Sequence, residues 1–134
     1  MRDPRQIAAL PVRREPDGRL SVMLITSRET RRWVIPKGWP MAKLADHVAA
    51  AIEAEQEAGI VGTIDANSVG CFEYEKRRPK GDIMVRVTVY RLDVTEELDQ
   101  WPEADERKRA WFTVSAAADA VEEDGLKQLI AGLD

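Results

Sequence analysis

The sequence predicts a single α/β domain of the α+β kind, with extended segments arranged around one central helix. Two observations carry this. Short aliphatic runs bounded by turn residues recur before and after residues 46–59, and those residues combine alanine richness with helical spacing. A chain of 134 residues with 44% hydrophobic and 33% charged side chains can bury one core, and two independent domains would be cramped.

Gln6–Val12 and Leu20–Ser27 read as strands joined through Glu15-Pro16-Asp17-Gly18, where Pro16 presets φ and Gly18 takes the positive-φ position. Trp33-Val34-Ile35 is a short apolar run that stops at Pro36. From Pro36 to Pro40 the two prolines deny a helix interior and Gly38 frees the backbone, so a loop is expected. Asp46 is the expected N-cap of a helix over His47–Ala58, rich in alanine and closed by Gly59 at C′. Its Val48, Ala51, Ile52 and Ala58 are expected to pack on the sheet. Asn67–Glu75 and Asp82–Val94 read as strands linked by Lys76–Gly81, the second alternating Val85, Val87 and Val89 against Arg86, Thr88 and Tyr90. Ala110–Val114 is the last strand, Ser115 the expected cap of a turn over Ala116–Val121, and Gly125–Ala131 a closing helix. No repeat, low-complexity tract or linker divides the chain, so residues 1–134 are expected to form one domain.

A net charge of −4 disfavours a general nucleic-acid binder. No window approaches the ~20 apolar residues a membrane helix needs, and no signal-peptide core follows Met1-Arg2-Asp3-Pro4-Arg5, so a cytoplasmic protein without a membrane partner is expected, as monomer or homodimer. Cys71 stands alone and reads as a small strand residue; His47, also alone, reads as a surface or first-turn residue.

The chemistry concentrates on the helix. Glu53, Gln56 and Glu57 stand at i, i+3 and i+4, so their oxygens can share a hard divalent cation. Positive charge gathers in three places: Arg28, Arg31, Arg32, Lys37 and Lys43; Lys76, Arg77, Arg78 and Lys80; and Arg107, Lys108 and Arg109. Taken singly, such runs are solvated loops, but facing the carboxylates they would form a pocket for a polyphosphate. Trp39 could wall a substrate or stack on a nucleobase, whereas Trp111 beside Phe112 reads as core.

The frame from Gly38 to Ile60 resembles the Nudix box, which runs Gly, five residues, Glu, seven residues, then Arg-Glu-aliphatic-x-Glu-Glu-x-Gly-aliphatic. Gly38, Glu53, Glu57, Gly59 and Ile60 match, whereas Leu44, Ile52, Ala54 and Gln56 stand where the pattern has Glu, Arg, aliphatic and Glu. Trp33–Gly38, Phe72-Glu73-Tyr74, Thr95–Pro102 and Arg107–Phe112 look like the diphosphoinositol polyphosphate phosphohydrolase branch and its bacterial relatives, over roughly residues 6–131. The resemblance implies the Nudix fold, a mixed sheet sandwiched between helices. It implies hydrolysis of a phosphoanhydride bond in a small polyphosphorylated molecule, such as a diphosphoinositol polyphosphate or a dinucleoside polyphosphate. Mg²⁺ or Mn²⁺ would be held by Glu53, Glu57, Gln56 and the Gly38 carbonyl, with Glu53 and Glu57 catalytic. Lys37, Trp39, Lys76, Arg77, Arg78 and Lys80 would bind substrate. Gln56 lacks a charge, Ile52 a guanidinium and Leu44 a carboxylate, and these losses point either to a slowed enzyme or to a ligand-binding sensor on the same scaffold. Glu73 or Glu75 could supply a missing oxygen.

Overall fold

The computed structural model describes residues 4–133; part of the N-terminal stretch scanned for a signal peptide, Met1 to Asp3, lies outside them, as does Asp134. Strands β1 (Arg5–Arg14), β2 (Leu20–Thr26), β3 (Trp33–Val34), β4 (Lys37–Gly38), β5 (Ile60–Ile64), β6 (Gly70–Lys76), β7 (Ile83–Glu97) and β8 (Arg109–Thr113) share one sheet, with helices α1 (Asp46–Ala58), α2 (Val114–Ala120) and α3 (Asp124–Ala131). β1 runs parallel to β7 over Arg5–Val12, while the other pairings are antiparallel, so the sheet is mixed. No described helix is long and apolar enough to cross a membrane.

β1 is buried on both faces from Gln6 to Val12, the pattern of a strand covered on two sides. Alternate residues feed two cores. Ile7, Ala9, Met23, Ile25, Tyr90 and Leu92 meet α1; Ala8, Leu10, Val22, Val85, Val87 and Val89 meet α2 and α3. The valine alternation in β7 is therefore a true face assignment, except that Tyr90 is buried against α1 instead of solvated.

One departure from regular pairing creates the site. β1 bonds β2 only at Val12–Arg14, and at Ile7 and Ala8 its partner is β4. The loop expected at Pro36–Pro40 therefore contains a two-residue strand, tied in further by the Ala9 N–H on the Pro36 carbonyl at 3.0 Å. This wedge sets Lys37 and Gly38 beside α1.

Helix α1 corrects two expectations. Its N-cap is Ala45, without a side-chain cap, and Asp46 instead pairs with Arg5 at 2.7 Å. Its buried face is Ala49, Ala50, Ala54, Glu57 and Ala58; Val48 is exposed and Ile52 half-buried. Four methyl-sized side chains let the helix approach the sheet closely, and overfilling this contact would cost about 1–3 kcal/mol. At the C-terminal end, Thr113 rather than Ser115 caps α2, its Oγ1 accepting from the Ala116 N–H at 3.1 Å. β5, directly after Gly59, is a strand beyond those expected from the sequence.

Candidate functional site

Glu57 is a charged residue type in a buried position, 8% exposed, on the face α1 presses toward the sheet. Its Oε1 accepts from the Lys37 N–H at 3.3 Å and lies 3.7 Å from Arg107 Nη2. Glu53 stands one helical turn earlier on the same flank and acts on this carboxyl. Burial first, and the neighbouring Glu53 second, push Glu57 up to about 8, while Arg107 pulls the other way.

Glu53 lies against Gly38. A Cβ built on Gly38 would meet the Glu53 carboxyl atoms at 2.5–2.8 Å, so only glycine leaves that volume free. The spacing of four on α1 and the wedge at β4 therefore bring together Gly38, Glu53 and Glu57, as the sequence expected. Gln56 is placed differently. Its side chain is exposed, about 100° around the helix from Glu57, and its backbone carbonyl accepts from the Glu103 N–H at 3.2 Å. Glu73 and Glu75 are exposed on β6. Among the described residues no group of three or more Asp, Glu, His or Cys side chains gathers to hold a metal. The donor set is thus two carboxylates beside the backbone of β4. That fits a hard cation such as Mg²⁺, which takes one or two carboxylates and completes its shell with water and phosphate oxygens.

Lys37 links this pair to the other side of the wedge. Its N–H points to Glu57, while its ammonium lies 4.8 Å from the centre of the Tyr74 ring. Tyr74 donates its hydroxyl to Gln6 Oε1 at 2.6 Å, which fixes the ring. Burial pushes the Lys37 ammonium down to about 8; Glu57 opposes the shift, and Lys76 and Arg32 add to it. A desolvated cation flanked by further cations is suited to an anion. Lys76 is half-buried within the electrostatic reach of Lys37, whereas Arg77, Arg78 and Lys80 are exposed in the turn beyond β6. Trp39, next to Gly38, is 48% exposed, and Leu44, ahead of α1, is 42% exposed.

The third basic run has a role the sequence reading did not assign. The segment 98–109 forms a strap over the C-terminal end of α1, where a helix leaves carbonyls without intrahelical donors. Gln56 O receives the Glu103 N–H, Glu57 O receives Trp101 Nε1 at 3.1 Å, and Ala58 O receives Arg109 Nη1 at 2.9 Å. Gly59 O receives Arg109 Nη1 at 3.1 Å and the Leu98 N–H at 2.7 Å. Arg109 also stacks 4.0 Å over Trp101, and a Cβ at Gly59 would strike that ring at 2.5 Å. The last turn of α1 carries no basic residue of its own, so the charge that complements its dipole comes from the strap. The signal available in sequence was the pairing of Trp101 with the alternating Arg107 and Arg109 ahead of an aromatic strand.

The sequence model described as NUDIX domain matches residues 4–133. Nudix hydrolase 13, mitochondrial, of Arabidopsis thaliana is 31% identical over 107 residues, covering 75% of this chain and 53% of that protein. Diphosphoinositol polyphosphate phosphohydrolase 2 of Rattus norvegicus is 32% identical over 115 residues, covering 84% of this chain and 60% of that protein. The chain thus spans between half and two thirds of the length of these relatives. Among solved structures, the Ap4A hydrolase of C. elegans superposes with TM-score 0.67 at 16% identity, covering 97% of this chain and 95% of that one. The NUDIX domain of Shewanella oneidensis NrtR, complexed with ADP ribose, gives TM-score 0.72 at 14% identity, covering 98% of this chain and 86% of that one. At such identities the structures speak for the fold.

Proposed function

We propose, from the premise that this chain belongs to the Nudix family, that it hydrolyses a phosphoanhydride bond in a small polyphosphorylated molecule with the help of Mg²⁺ or Mn²⁺. The observation that carries this reading is the buried Glu57 carboxyl one turn from the half-buried Glu53, which lies against Gly38, with Lys37 bordering both. Glu53, Glu57 and the Gly38 carbonyl would hold the cation. When bound, such an ion neutralises phosphate charge and acidifies a coordinated water.

The remaining work falls to the chain's own side chains. Lys37, half-buried in β4, would stabilise charge on the departing phosphate more strongly than an exposed lysine. Lys76 would extend that field, and Arg77, Arg78 and Lys80 would gather the rest of a polyphosphate from solution. Trp39 offers a face to a nucleobase or ring. A relative named for diphosphoinositol polyphosphates and fold neighbours named for Ap4A or complexed with ADP ribose support a polyphosphorylated small molecule as the substrate class. The exposed position of Gln56 bears on activity as well. A side chain outside the carboxylate pair can lose its charge without dismantling that pair.

The test is a product screen across diphosphoinositol polyphosphates, dinucleoside polyphosphates and nucleoside diphosphate derivatives with Mg²⁺ and Mn²⁺, with Glu57→Gln run alongside. Multiple turnovers by the wild type that vanish in the variant are expected. Ligand binding without product at high protein and Mn²⁺ would make the protein a sensor, and an unchanged rate in Glu57→Gln would refute the site.

A further inference from the structure

We infer that Arg107 is the positioning residue for Glu57, delivering from the strap a guanidinium that α1 does not itself provide. The inference rests on the cation site proposed at Glu53 and Glu57.

Arg107 is held on three sides. Its side chain is 9% exposed; Nε donates to Glu103 Oε1 at 2.7 Å, Nη1 donates to the Thr26 carbonyl at 3.2 Å, and Nη2 sits 3.7 Å from Glu57 Oε1. A planar fork fixed at two points has little freedom at the third, so the position of Nη2 is set by the strap and by β2. The oxygen it faces is the one that takes the Lys37 N–H. Glu57 Oε1 is thus engaged from two directions, which sets the orientation of the carboxyl group. Ile52, the residue before Glu53, is half-buried and apolar and can donate nothing.

Two effects of opposite sign must be compared. A guanidinium near the carboxylate repels an incoming cation, and it also fixes and supports the ligand. Glu103 at 2.7 Å cancels much of the Arg107 charge, while the geometric constraint is unaffected by that neutralisation. Positioning therefore outweighs repulsion. Arg109 supplies the natural contrast: it braces the same strap through the carbonyls of Ala58, Gly59 and Leu98, none of which belongs to the carboxyl pair.

Calorimetric titration with Mn²⁺, paired with thermal melts, tests this on wild type, Arg107→Met, Arg107→Lys, Arg109→Met and Glu57→Gln. Loss of an orienting partner predicts Mn²⁺ affinity weakened about ten-fold or more in Arg107→Met, with Arg107→Lys intermediate and folded Arg109→Met within about two-fold of wild type. Equal or tighter binding by Arg107→Met overturns the inference, and so does an equal loss in Arg109→Met, which would make Arg107 a structural brace only. If Arg107→Met does not fold, Arg107→Lys decides, because wild-type affinity in a variant that keeps the charge without the fork also overturns it. Should Glu57→Gln bind Mn²⁺ as tightly as wild type, the cation site itself falls, and the inference with it.

Discussion

Lys76–Lys80 and Arg107–Arg109 are alike in composition, each a short basic run beside a strand, yet they end in opposite environments. Arg77, Arg78 and Lys80 project from an exposed turn, where Arg78 makes local contacts: its N–H to the Asp82 side chain and its Nε to the Gly81 carbonyl, both at 3.4 Å, and its carbonyl accepts from the Gly81 N–H at 3.1 Å. Arg107 and Arg109 are folded onto α1, where unpaired carbonyls and a buried carboxyl await donors. The sign of their charge does not separate the two runs. What separates them is whether tertiary structure brings acceptors without donors within reach. A basic run next to a helix end becomes structure; one beyond a hairpin stays available to a ligand.

The largest expected consequence is in stability. Arg109→Met leaves the carbonyls of Ala58, Gly59 and Leu98 without their side-chain donor and should cost about 3 kcal/mol, whereas Arg77→Ala should stay within about 0.5 kcal/mol. Chemical denaturation of the two variants checks this, and similar midpoints would erase the distinction between strap and turn.

That distinction was hard to see in sequence for a physical reason. Local signals served well where one segment decides its own structure: the alanines and Gly59 marked α1, Pro16-Asp17-Gly18 marked the first hairpin, and the spacing of Glu53 and Glu57 placed both on one flank. They failed where the deciding partner is distant. α1 buries alanines, which show almost no polarity contrast with their neighbours, so the periodicity favoured Val48 and missed the buried Glu57. β5 is five residues long and broken by Gly62, a glycine explained only by β7, because a Cβ there would meet the Asp93 carbonyl oxygen at 2.1 Å. Gln56 looked equivalent to Glu57 by spacing, but the sheet covers one and leaves the other in solvent.

A second, smaller effect separates the two basic regions through pH. Glu57 is raised from 4.5 to about 8, and Arg107 opposes that rise while no residue of the exposed turn enters it. A carboxyl whose folded pKa lies above its unfolded value contributes stability that is complete below the unfolded pKa and disappears as pH climbs through the folded one. Lys37, lowered from 10.5 to about 8, acts in a different window: its penalty is full below about 8 and is relieved as pH rises toward the unfolded value. Between about pH 5 and 8 the Glu57 contribution therefore stands apart. Metal-free wild type should melt roughly 5 °C lower near pH 8 than near pH 6 relative to Glu57→Gln, whose curve lacks this slope. Arg107→Met should steepen the loss and Arg77→Ala should leave it unchanged. Equal slopes for wild type and Glu57→Gln would mean that the carboxyl pair carries no strain of charge.

The smallest effect concerns the turn itself. If Arg77, Arg78 and Lys80 attract substrate without touching the reacting phosphate, replacing all three with alanine removes binding shared by ground and transition states. KM should then rise about ten-fold with kcat kept, and the melting temperature should not move. The wild type should lose much of its advantage near 0.5 M salt, because the Debye length shrinks to roughly 4 Å and exposed charges stop acting at a distance. Steady-state kinetics at two ionic strengths resolve the matter. A fall in kcat with KM unchanged would place the turn against the reacting phosphate, in the environment now occupied by Lys37, and would make exposure a poor guide to which cations take part in chemistry.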